Sequence, residues 1–229
     1  MATSTPRKPR KSRTKGRPDA VDGVGPEALL DATIEELRHT PPQALTLAAV
    51  AQRAGVHPAL LRYYFGSKDG LLTRATQRLV EGEHETVRPS VQSHAPLEDK
   101  LKSRLTGMID LIEANPHFHR LVLDQIYGKS AHSPENELLS RVTARGLTLT
   151  VSMLHDTPNT PVRALDPRFL HVALIGLTEF FTSAEPLLRE LFGPNTPPEE
   201  IKKRYIDFLT DLILNGVKNE PEQPSANPN

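Results

Sequence analysis

The chain has 229 residues, of which 37% are hydrophobic, and it contains no cysteine. The lack of cysteine excludes disulfides, thiolate catalysis and cysteine-ligated zinc sites. No run of about 18 apolar residues is present, and the basic N-terminus has no apolar stretch behind it, so we expect neither a membrane-spanning helix nor a signal peptide. These observations predict a cytoplasmic protein with one sizeable core, or with a small domain joined to a larger one.

The first segment, residues 1–22, is predicted to be a disordered basic arm. The formal net charge of the chain is zero, but residues 1–18 contain positive side chains and no acidic one, so the remainder is net negative. The positive residues of the arm are Arg7, Lys8, Arg10, Lys11, Arg13, Lys15 and Arg17. A basic arm on an acidic body indicates an anionic partner, with nucleic acid the first choice and a membrane surface the second. A solubilising tail remains the alternative.

Proline and glycine divide the rest of the chain into helical segments. Several prolines follow a cap-like residue, as at Gly25-Pro26, His57-Pro58 and Asp166-Pro167, which is the arrangement favoured at the first position of a helix. No segment alternates apolar and polar residues as a half-buried strand does, so the sequence predicts an all-α fold. The predicted helices are Pro26–Arg38, Leu47–Ala54, Pro58–Tyr64, Lys68–Val87, Pro96–Ala114, Pro116–Tyr127, Pro134–His155, Pro167–Ala184, Glu185–Phe192 and Pro197–Val217. Residues 156–165 are expected to form a loop, and residues 218–229 a disordered tail.

Residues 46–65 fit two short helices joined by a tight turn. Thr46 can cap a helix whose apolar residues recur on one face, and Gly55 falls where the turn favours a left-handed backbone. Leu61 and Phe65 lie four residues apart and can both face the core. A second helix this short is held by packing rather than by its own propensity. The pattern is that of a helix-turn-helix unit.

The outward face of the second helix carries candidate DNA contacts. Such a helix fits the major groove with its N-terminal residues nearest the bases. Arg62 can bond a guanine edge or a phosphate, whereas Ala59 and Leu60 can touch thymine methyl groups. Hydroxyl and ammonium groups suit phosphate oxygens. The candidate DNA-binding residues here are Thr46, His57, Pro58, Ala59, Leu60, Arg62, Tyr63, Tyr64, Ser67 and Lys68. The alternatives are partial burial for each tyrosine and a solvated charge for Lys68.

This region resembles the N-terminal domain of the TetR family of transcriptional regulators. The residues that carry the resemblance are TLAAVAQRAGV, residues 46–56, and YFGSKDGLL, residues 64–72. The chain departs from the family pattern at His57, where many members have Ser, and at Arg62, where many have Tyr. The resemblance implies a DNA-binding domain of three helices with a helix-turn-helix, over residues 23–88. It also implies a larger helical domain for effector binding and dimerisation, over residues 89–217.

For function, the resemblance implies a homodimer that binds a palindromic DNA operator and releases it when a small molecule binds. In that setting Arg17, within Lys15-Gly16-Arg17-Pro18, resembles the core of an arm that enters the minor groove. A transcriptional activator and a ligand-independent architectural DNA-binding protein remain alternatives. The large helical C-terminal part favours a regulator over an architectural protein.

The C-terminal part supplies candidates for the dimer interface and for an effector pocket. By resemblance, the last two long helices should pair with their copies, and both have wide apolar faces. The candidate interface residues are Leu170, Ala173, Leu174, Leu177, Tyr205, Phe208 and Leu212. The candidate pocket residues, with Phe180 or Phe181 closing the pocket, are Met108, Leu111, Ile112, Phe118, Leu121, Val122, Ile126, Tyr127, Leu147, Met153, Phe180 and Phe181. For each of these, a place in the core of one subunit is the alternative.

The sequence contains no recognisable motif for catalysis, for a cofactor or for a metal. A phosphate-binding glycine loop, a nucleophile elbow, a zinc-protease helix and paired acids in an apolar context are all missing. Asp110 and Glu113 share a helix, but nothing in the sequence pins them together. His84 lies between Glu81 and Glu85 without convergent partners for a metal. We therefore expect no enzyme activity, no cofactor and no metal site.

Overall fold

The computed structural model describes residues 24–128, 136–155 and 163–217. Within these ranges the chain is helical and has no strand, which confirms the all-α prediction. The helices are α1 (Pro26–His39), α2 (Leu47–Ala54), α3 (Pro58–Phe65), α4 (Lys68–Val91), α5 (Leu97–Ala114), α6 (Phe118–Val122), α7 (Asn136–His155), α8 (Pro167–Ser183), α9 (Glu185–Phe192) and α10 (Pro198–Val217). A π-helical turn, Leu123–Tyr127, continues α6. The predicted arm with Arg17, residues 156–162 of the predicted loop and the predicted tail lie outside the described residues.

The first three helices and the start of α4 enclose one core. Leu29, Val50, Leu61 and Leu71 are fully buried in it. The Thr46 hydroxyl accepts a hydrogen bond from the Ala49 amide at 3.1 Å and so caps α2. Gly55 ends α2 with φ of +67°, in the left-handed region. Local spacing therefore predicted the helix-turn-helix correctly.

A second core lies among α4, α5, α7, α8 and α10. Its buried residues include Leu101, Leu105, Leu174 and Leu209. The central helix is α5, which contacts α4, α7, α8 and α10. Because α4 contributes Leu71 to the first core and Val87 to the second, one continuous helix joins the two parts of the molecule. No helix in the described ranges is long and apolar enough to cross a bilayer.

Most predicted helix bounds lie within one or two residues of the observed ones, and two of the differences have a clear structural cause. The prediction ended α4 at Val87, but the helix passes Pro89 and ends at Val91. Val87 and Val91 are both buried against α5, and this packing outweighs the proline's missing donor close to the helix end. The predicted helix Pro116–Tyr127 begins only at Phe118, whose amide donates to Asn115 O at 2.8 Å, and it widens into the π-helical turn.

A glycine allows α4 and α5 to pass close to each other. A Cβ atom at Gly107 would lie 2.5 Å from Val87 Cγ1 and 3.1 Å from Glu83 Oε1. The Val87 contact is shorter than real Cβ atoms tolerate, so any larger residue would force the helices apart. Gly107 therefore fixes where α4 crosses α5.

A lysine of α10 holds the two acids of α5 that the sequence left unconnected. Lys202 Nζ lies 2.7 Å from Asp110 Oδ1 and 2.6 Å from Glu113 Oε2. The expectation that nothing pins these acids together is therefore wrong. Hydrogen bonds to both acids raise the pKa of Lys202 against the opposing effect of burial, which is the largest single influence on it. This arrangement joins α10 to α5 at the surface of the second core.

Candidate DNA interface and internal cavity

The outward face of α3 is open to solvent. Tyr63 is 80% exposed and Tyr64 is 42% exposed, and their rings meet edge to face with centroids 5.1 Å apart. Ala59 and Arg62 are exposed on the same short helix, whereas Leu61 is fully buried. Partial burial therefore describes Tyr64 better than Tyr63. A short helix with two exposed tyrosines and an arginine beside them is a surface suited to a polar, anionic partner.

Several polar residues predicted to bind DNA also have partners inside the protein. His57 Nδ1 accepts from the Ala59 amide at 3.2 Å, and Ser67 Oγ accepts from the Gly70 amide at 3.0 Å, so these side chains cap α3 and α4. Lys68 Nζ donates to Gln43 O at 2.8 Å and ties the start of α4 to the α1–α2 connection. Leu60 and Pro58 are half-buried, and Leu60 packs against the first core. A phosphate would compete with the Gln43 carbonyl for Lys68.

An internal cavity of about 90 Å³ lies among α4, α5, α6, α7 and α8. Its lining residues are Val80, Glu83, His84, Arg104, Met108, Leu111, Ile112, Phe118, Val122, Ile126, Tyr127, Val142, Thr143, His171, Ile175, Thr178 and Glu179. Most apolar residues predicted for an effector pocket are among them, namely Met108, Leu111, Ile112, Phe118, Val122, Ile126 and Tyr127. The cavity thus has a largely apolar wall with a polar end.

The other residues predicted for the pocket lie elsewhere. Leu121 is buried in the first core, whereas Met153 and Phe181 are buried in the second. Phe180 is 65% exposed, so the structure contradicts the prediction that it closes the pocket. The cause is the helical rotation of about 100° per residue, which points Phe181 inward and its neighbour Phe180 outward. Leu147 is half-buried on α7 and is not a lining residue.

The polar end of the cavity brings together charged and imidazole side chains that sequence reasoning missed. Arg104 Nη1 donates to Glu83 Oε1, and His84 Nε2 lies 3.8 Å from Glu83 Oε2. His171 Nδ1 lies 3.2 Å from Thr150 Oγ1. All but Thr150 line the cavity, and all are at most 8% exposed. The adjacent acid and histidine on α4 were visible in the sequence, but their partners come from α5 and α8.

Burial controls the charges of this cluster. Desolvation, together with the nearby positive charge of Arg104, lowers the pKa of His84 to about 3 and that of His171 to about 4. Both imidazoles are therefore neutral at pH 7. Burial raises the pKa of Glu83, and the Arg104 guanidinium opposes this rise. Within the described ranges, no group of three or more potential ligands is placed to hold a metal ion.

A wider groove of about 770 Å³ lies outside the cavity, beside α1, α4, α5 and α7. Charged side chains line it, among them Arg74, Arg78 and Arg145. Glu83 and Leu111 line both the groove and the cavity, so these two side chains separate the cavity from an open surface. The groove and the cavity therefore adjoin at Glu83 and Leu111.

The π-helical turn connects the cavity to the start of α4. Gln125 Nε2 donates to Asp69 Oδ1 at 3.1 Å, and Gln125 Oε1 accepts from Thr73 Oγ1 at 2.7 Å. The next residue, Ile126, lines the cavity. Gln125 is itself only 5% exposed, so these contacts lie inside the junction between the two parts. Sequence reasoning missed this clamp because its members are more than fifty positions apart.

Two family models match the chain, one on each side of this junction. The model described as bacterial regulatory proteins, tetR family, matches residues 29–75. The model described as tetracyclin repressor-like, C-terminal domain, matches residues 94–222, which is more than half of the chain. The chain belongs to the TetR family. It is a DNA-binding transcriptional regulator, and the resemblance seen in the sequence is confirmed.

Curated relatives of this TetR-family protein are transcriptional regulators. The HTH-type transcriptional regulator BetI of Cronobacter sakazakii is 28% identical over 162 residues, which cover 65% of this chain and 79% of the relative. BetI of Burkholderia mallei is 33% identical over 122 residues, which cover 52% of this chain and 61% of the relative. The match to the Burkholderia mallei protein therefore spans only about three fifths of that protein's length.

Solved structures share the TetR-family fold at low identity. FadR from Bacillus subtilis, in complex with stearoyl-CoA, has a TM-score of 0.56 at 14% identity, covering 82% of this chain and 95% of that one. A protein of unknown function from Rhodococcus sp. RHA1 has a TM-score of 0.67 at 12% identity, covering 89% and 100%. At such identities the likeness shows the fold alone.

The outward faces of α8 and α10 in this TetR-family protein are candidates for the dimer interface. Large apolar side chains that are more than half exposed on these helices are Phe169, Val172, Phe180, Phe208 and Leu212. Phe208 and Leu212 were predicted for the interface, and the predicted Ala173 is also exposed. Phe169 and Val172 were missed as interface candidates, whereas Phe180 lies on the predicted apolar face of α8 but was assigned to the pocket.

Other predicted interface residues pack within the subunit. Leu174 is fully buried in the second core, so the structure contradicts its assignment to the interface. Tyr205 stacks on Phe181 with ring centroids 4.1 Å apart, and its hydroxyl donates to Leu177 O at 2.9 Å. Leu170 and Leu177 are half-buried against the second core. The wide apolar face of α8 thus serves two surfaces, one inside the subunit and one outside.

Proposed function

We propose that this protein is a repressor that acts as a homodimer on a palindromic operator and releases it when a small molecule occupies the internal cavity. One observation carries the proposal. The α6 segment and its π-helical turn line the cavity with Phe118 and Ile126, and the same segment holds the start of α4 through Gln125. A change in the cavity therefore has a direct mechanical route to the DNA-binding part.

The DNA-binding half of the proposal rests on α3. Arg62 would read a base or a phosphate, and Tyr63 would contact the sugar-phosphate backbone. We assign residues 23–88 to the DNA-binding domain, residues 89–217 to the effector and dimer domain, and residues 1–22 to an arm in which Arg17 enters the minor groove. We place the protein in the cytoplasm, where its DNA target is, and assign it no enzymatic role.

The regulatory half is a population shift. A free dimer samples arrangements that differ in the spacing of its two α3 helices, and operator DNA favours the spacing of one helical turn, about 34–36 Å. An effector that binds better to another arrangement weakens DNA binding by its differential affinity for the two, and DNA weakens effector binding by the same factor. The long helix α4 would transmit the change.

The size of the cavity bears on the effector. At about 90 Å³ it lies well below the roughly 300–1,000 Å³ of drug-sized sites. The FadR relative was solved with stearoyl-CoA, a far larger ligand. We therefore propose that a small molecule fills the cavity of this chain.

An activator and an architectural DNA-binding protein are the alternatives. The sign of regulation depends on where the operator lies relative to a promoter, so activation remains open. A buried polar cluster at the end of an apolar cavity favours a ligand-responsive regulator, since a purely architectural protein has no use for it.

The decisive experiment is selection of bound DNA from random sequence, at two salt concentrations, with the full chain and with a chain lacking residues 1–18. The proposal predicts an enriched palindrome with both chains and weaker, less salt-dependent binding without the arm. Binding without enrichment that disappears with the arm would contradict the proposal and support the architectural alternative. The genes beside an enriched site would then show whether the protein represses or activates them.

A further inference from the structure

We infer that the effector is a small uncharged molecule whose polar end both donates and accepts a hydrogen bond, as an amide or an alcohol does. This inference rests on the proposed function and names the chemical class that the cavity would take. It is carried by two buried atoms at the polar end, by the charge balance around them and by the apolar wall opposite.

Two buried polar atoms of the cluster, Arg104 Nε and His84 Nδ1, have no hydrogen-bond partner among the described residues. Their side chains are 2% and 5% exposed, and both line the cavity. Buried polar groups in native proteins are nearly always paired. Because both side chains line the cavity, we assign the missing partner of each atom to a ligand group bound there.

The two atoms offer a ligand different hydrogen-bonding roles. An arginine Nε can only donate. For neutral His84, we assign the proton to Nε2, which lies 3.8 Å from Glu83 Oε2. This separation is too long for a hydrogen bond, but the carboxylate still favours an N–H over a lone pair on the nitrogen beside it. His84 Nδ1 is then an acceptor. The protein therefore presents one donor and one acceptor, and a ligand group must offer the reverse.

The charges already present at this end of the cavity disfavour a charged ligand group. The Arg104 guanidinium is paired with the Glu83 carboxylate. Glu179, the other carboxylate of the lining, lies 3.6 Å from His119 Nδ1. A ligand carboxylate would add a second negative charge beside Glu83, and a ligand ammonium would add a second positive charge beside Arg104. In a buried site an extra unpaired charge is strongly unfavourable. An amide or hydroxyl satisfies both open atoms without adding charge.

The apolar wall of the cavity determines what the rest of the ligand can be. Beyond the polar end, the wall consists mainly of apolar side chains, including Met108, Phe118, Val122 and Ile175. An engineered apolar cavity of about 150 Å³ binds benzene, so the present cavity suits a short aliphatic chain. The ligand would pass Glu83 and Leu111 from the outer groove, with its polar end finishing at Arg104 and His84.

The test compares three probes that share a five-carbon chain: pentanamide, pentanoate and pentylamine. The protein carries a ¹³C label on its methionine methyl groups and is observed by NMR. The chain has only Met1, Met108 and Met153. Met108 lines the cavity and reports binding, whereas Met153 lies in the second core and serves as the internal control for an intact fold.

We expect pentanamide to shift the Met108 methyl signal saturably, with a dissociation constant at least about tenfold below those of pentanoate and pentylamine. His84→Phe keeps a ring but removes the acceptor, and it should abolish this preference for the amide. Ile175→Val, in the apolar wall, is the matched control and should weaken pentanamide and the two charged probes alike.

Charged probes that bind as tightly as pentanamide would overturn the assigned class, as would a Met108 signal that none of the three probes moves. The wild-type comparison stands even if the His84 variant fails to fold. Stronger binding of pentanoate or pentylamine would still identify the cavity as a binding site, but it would refute the proposal that its ligand is uncharged. The proposed regulatory function fails separately, in the DNA selection, which requires no ligand.

Discussion

At the scale of single residues, some predicted DNA-binding side chains cap helices around α3, whereas others are free to contact DNA. Thr46, His57 and Ser67 each accept a backbone N–H at a helix start, so replacing any of them changes the fold as well as the DNA contact. Arg62 and Tyr63 are exposed. They are the residues whose replacement tests recognition most directly.

Arg62→Ala should weaken binding to the selected operator by about 1–3 kcal/mol and relax the sequence preference at one position, because a base-reading guanidinium is lost. The measurement is affinity for the operator and for single-base variants of it. Arg74→Ala on α4, which removes an equal charge from the outer groove, should leave both quantities unchanged. Equal losses on all sequences would show that Arg62 contacts only phosphate.

The buried histidines make stability depend on pH in a predictable direction. The pKa of His171 is about 4 in the folded protein, against about 6.5 when unfolded, so only the unfolded state takes up the proton between these values. The stabilisation is complete above pH 6.5 and is lost as pH falls towards 4. His84, whose pKa is also lowered, makes stability fall with falling pH in the same way. Glu83 has the opposite effect, because its raised pKa lets the folded state take up a proton at pH values just above the ordinary pKa, where the unfolded state does not.

His171→Asn keeps a group that can bond Thr150 and should flatten this dependence by about 1.4 kcal/mol per pH unit between pH 6.5 and 4. Urea unfolding across that range measures the effect. His94→Asn removes an exposed histidine and should retain the wild-type slope. An unchanged slope in the His171 variant would mean that this imidazole is already protonated in the folded state.

At the scale of helices, the π-helical turn is the element that belongs to both parts of the molecule. One side of α6 and the turn faces the cavity with Val122 and Ile126, and the other side packs Leu121 into the first core and bonds Gln125 to α4. Leu121 and Gln125 are four residues apart, as are Val122 and Ile126, so each pair shares one side of the segment.

Gln125→Leu should loosen the start of α4. It removes two hydrogen bonds of about 1 kcal/mol each, so amide hydrogen exchange over residues 68–74 should become about 5- to 30-fold faster. Arg120→Ala, which breaks an exposed ion pair with Asp124 in the same segment, is the control and should have little effect. If the two variants exchange alike, the clamp does not hold α4.

The elements show how far sequence reasoning reaches in this protein. The α2–turn–α3 unit was predictable because its signals, Thr46, Gly55 and Leu61, act over a few residues. The Lys202 bridge to Asp110 and the pairing of Arg104 with Glu83 were not, because their partners lie on different helices and are brought together only by packing. The same holds for the inward and outward faces of α8, since both are apolar in the sequence.

At the scale of the whole molecule, the exposed faces of α8 and α10 favour a dimer. Phe169, Phe180 and Phe208 are each at least 60% exposed, and large apolar side chains left open to solvent in this way indicate a candidate interaction site. A palindromic operator requires two copies of α3 held at a fixed separation.

Phe208→Glu should convert the dimer to a monomer, because it would bury two like charges near the symmetry axis. Sedimentation equilibrium measures the assembly, and operator affinity should fall by at least about 100-fold when the second α3 is lost. Leu123→Glu replaces an exposed apolar residue on the π-helical turn and should leave the protein dimeric. A dimeric Phe208 variant would place the interface elsewhere.

The position of the glycine at the crossing of α4 and α5 determines how far a tilt of α4 would move the start of that helix. Gly107 touches α4 near Glu83 and Val87, and at about 1.5 Å per residue this point is about 25 Å along the helix axis from Lys68. A pivot at that point would turn a tilt of about 5° into a displacement of about 2 Å at the start of α4. The cavity lies close to this pivot, and α3 packs against the opposite end of α4. A displacement too small to disturb the second core would therefore still change the separation of the two α3 helices in a dimer.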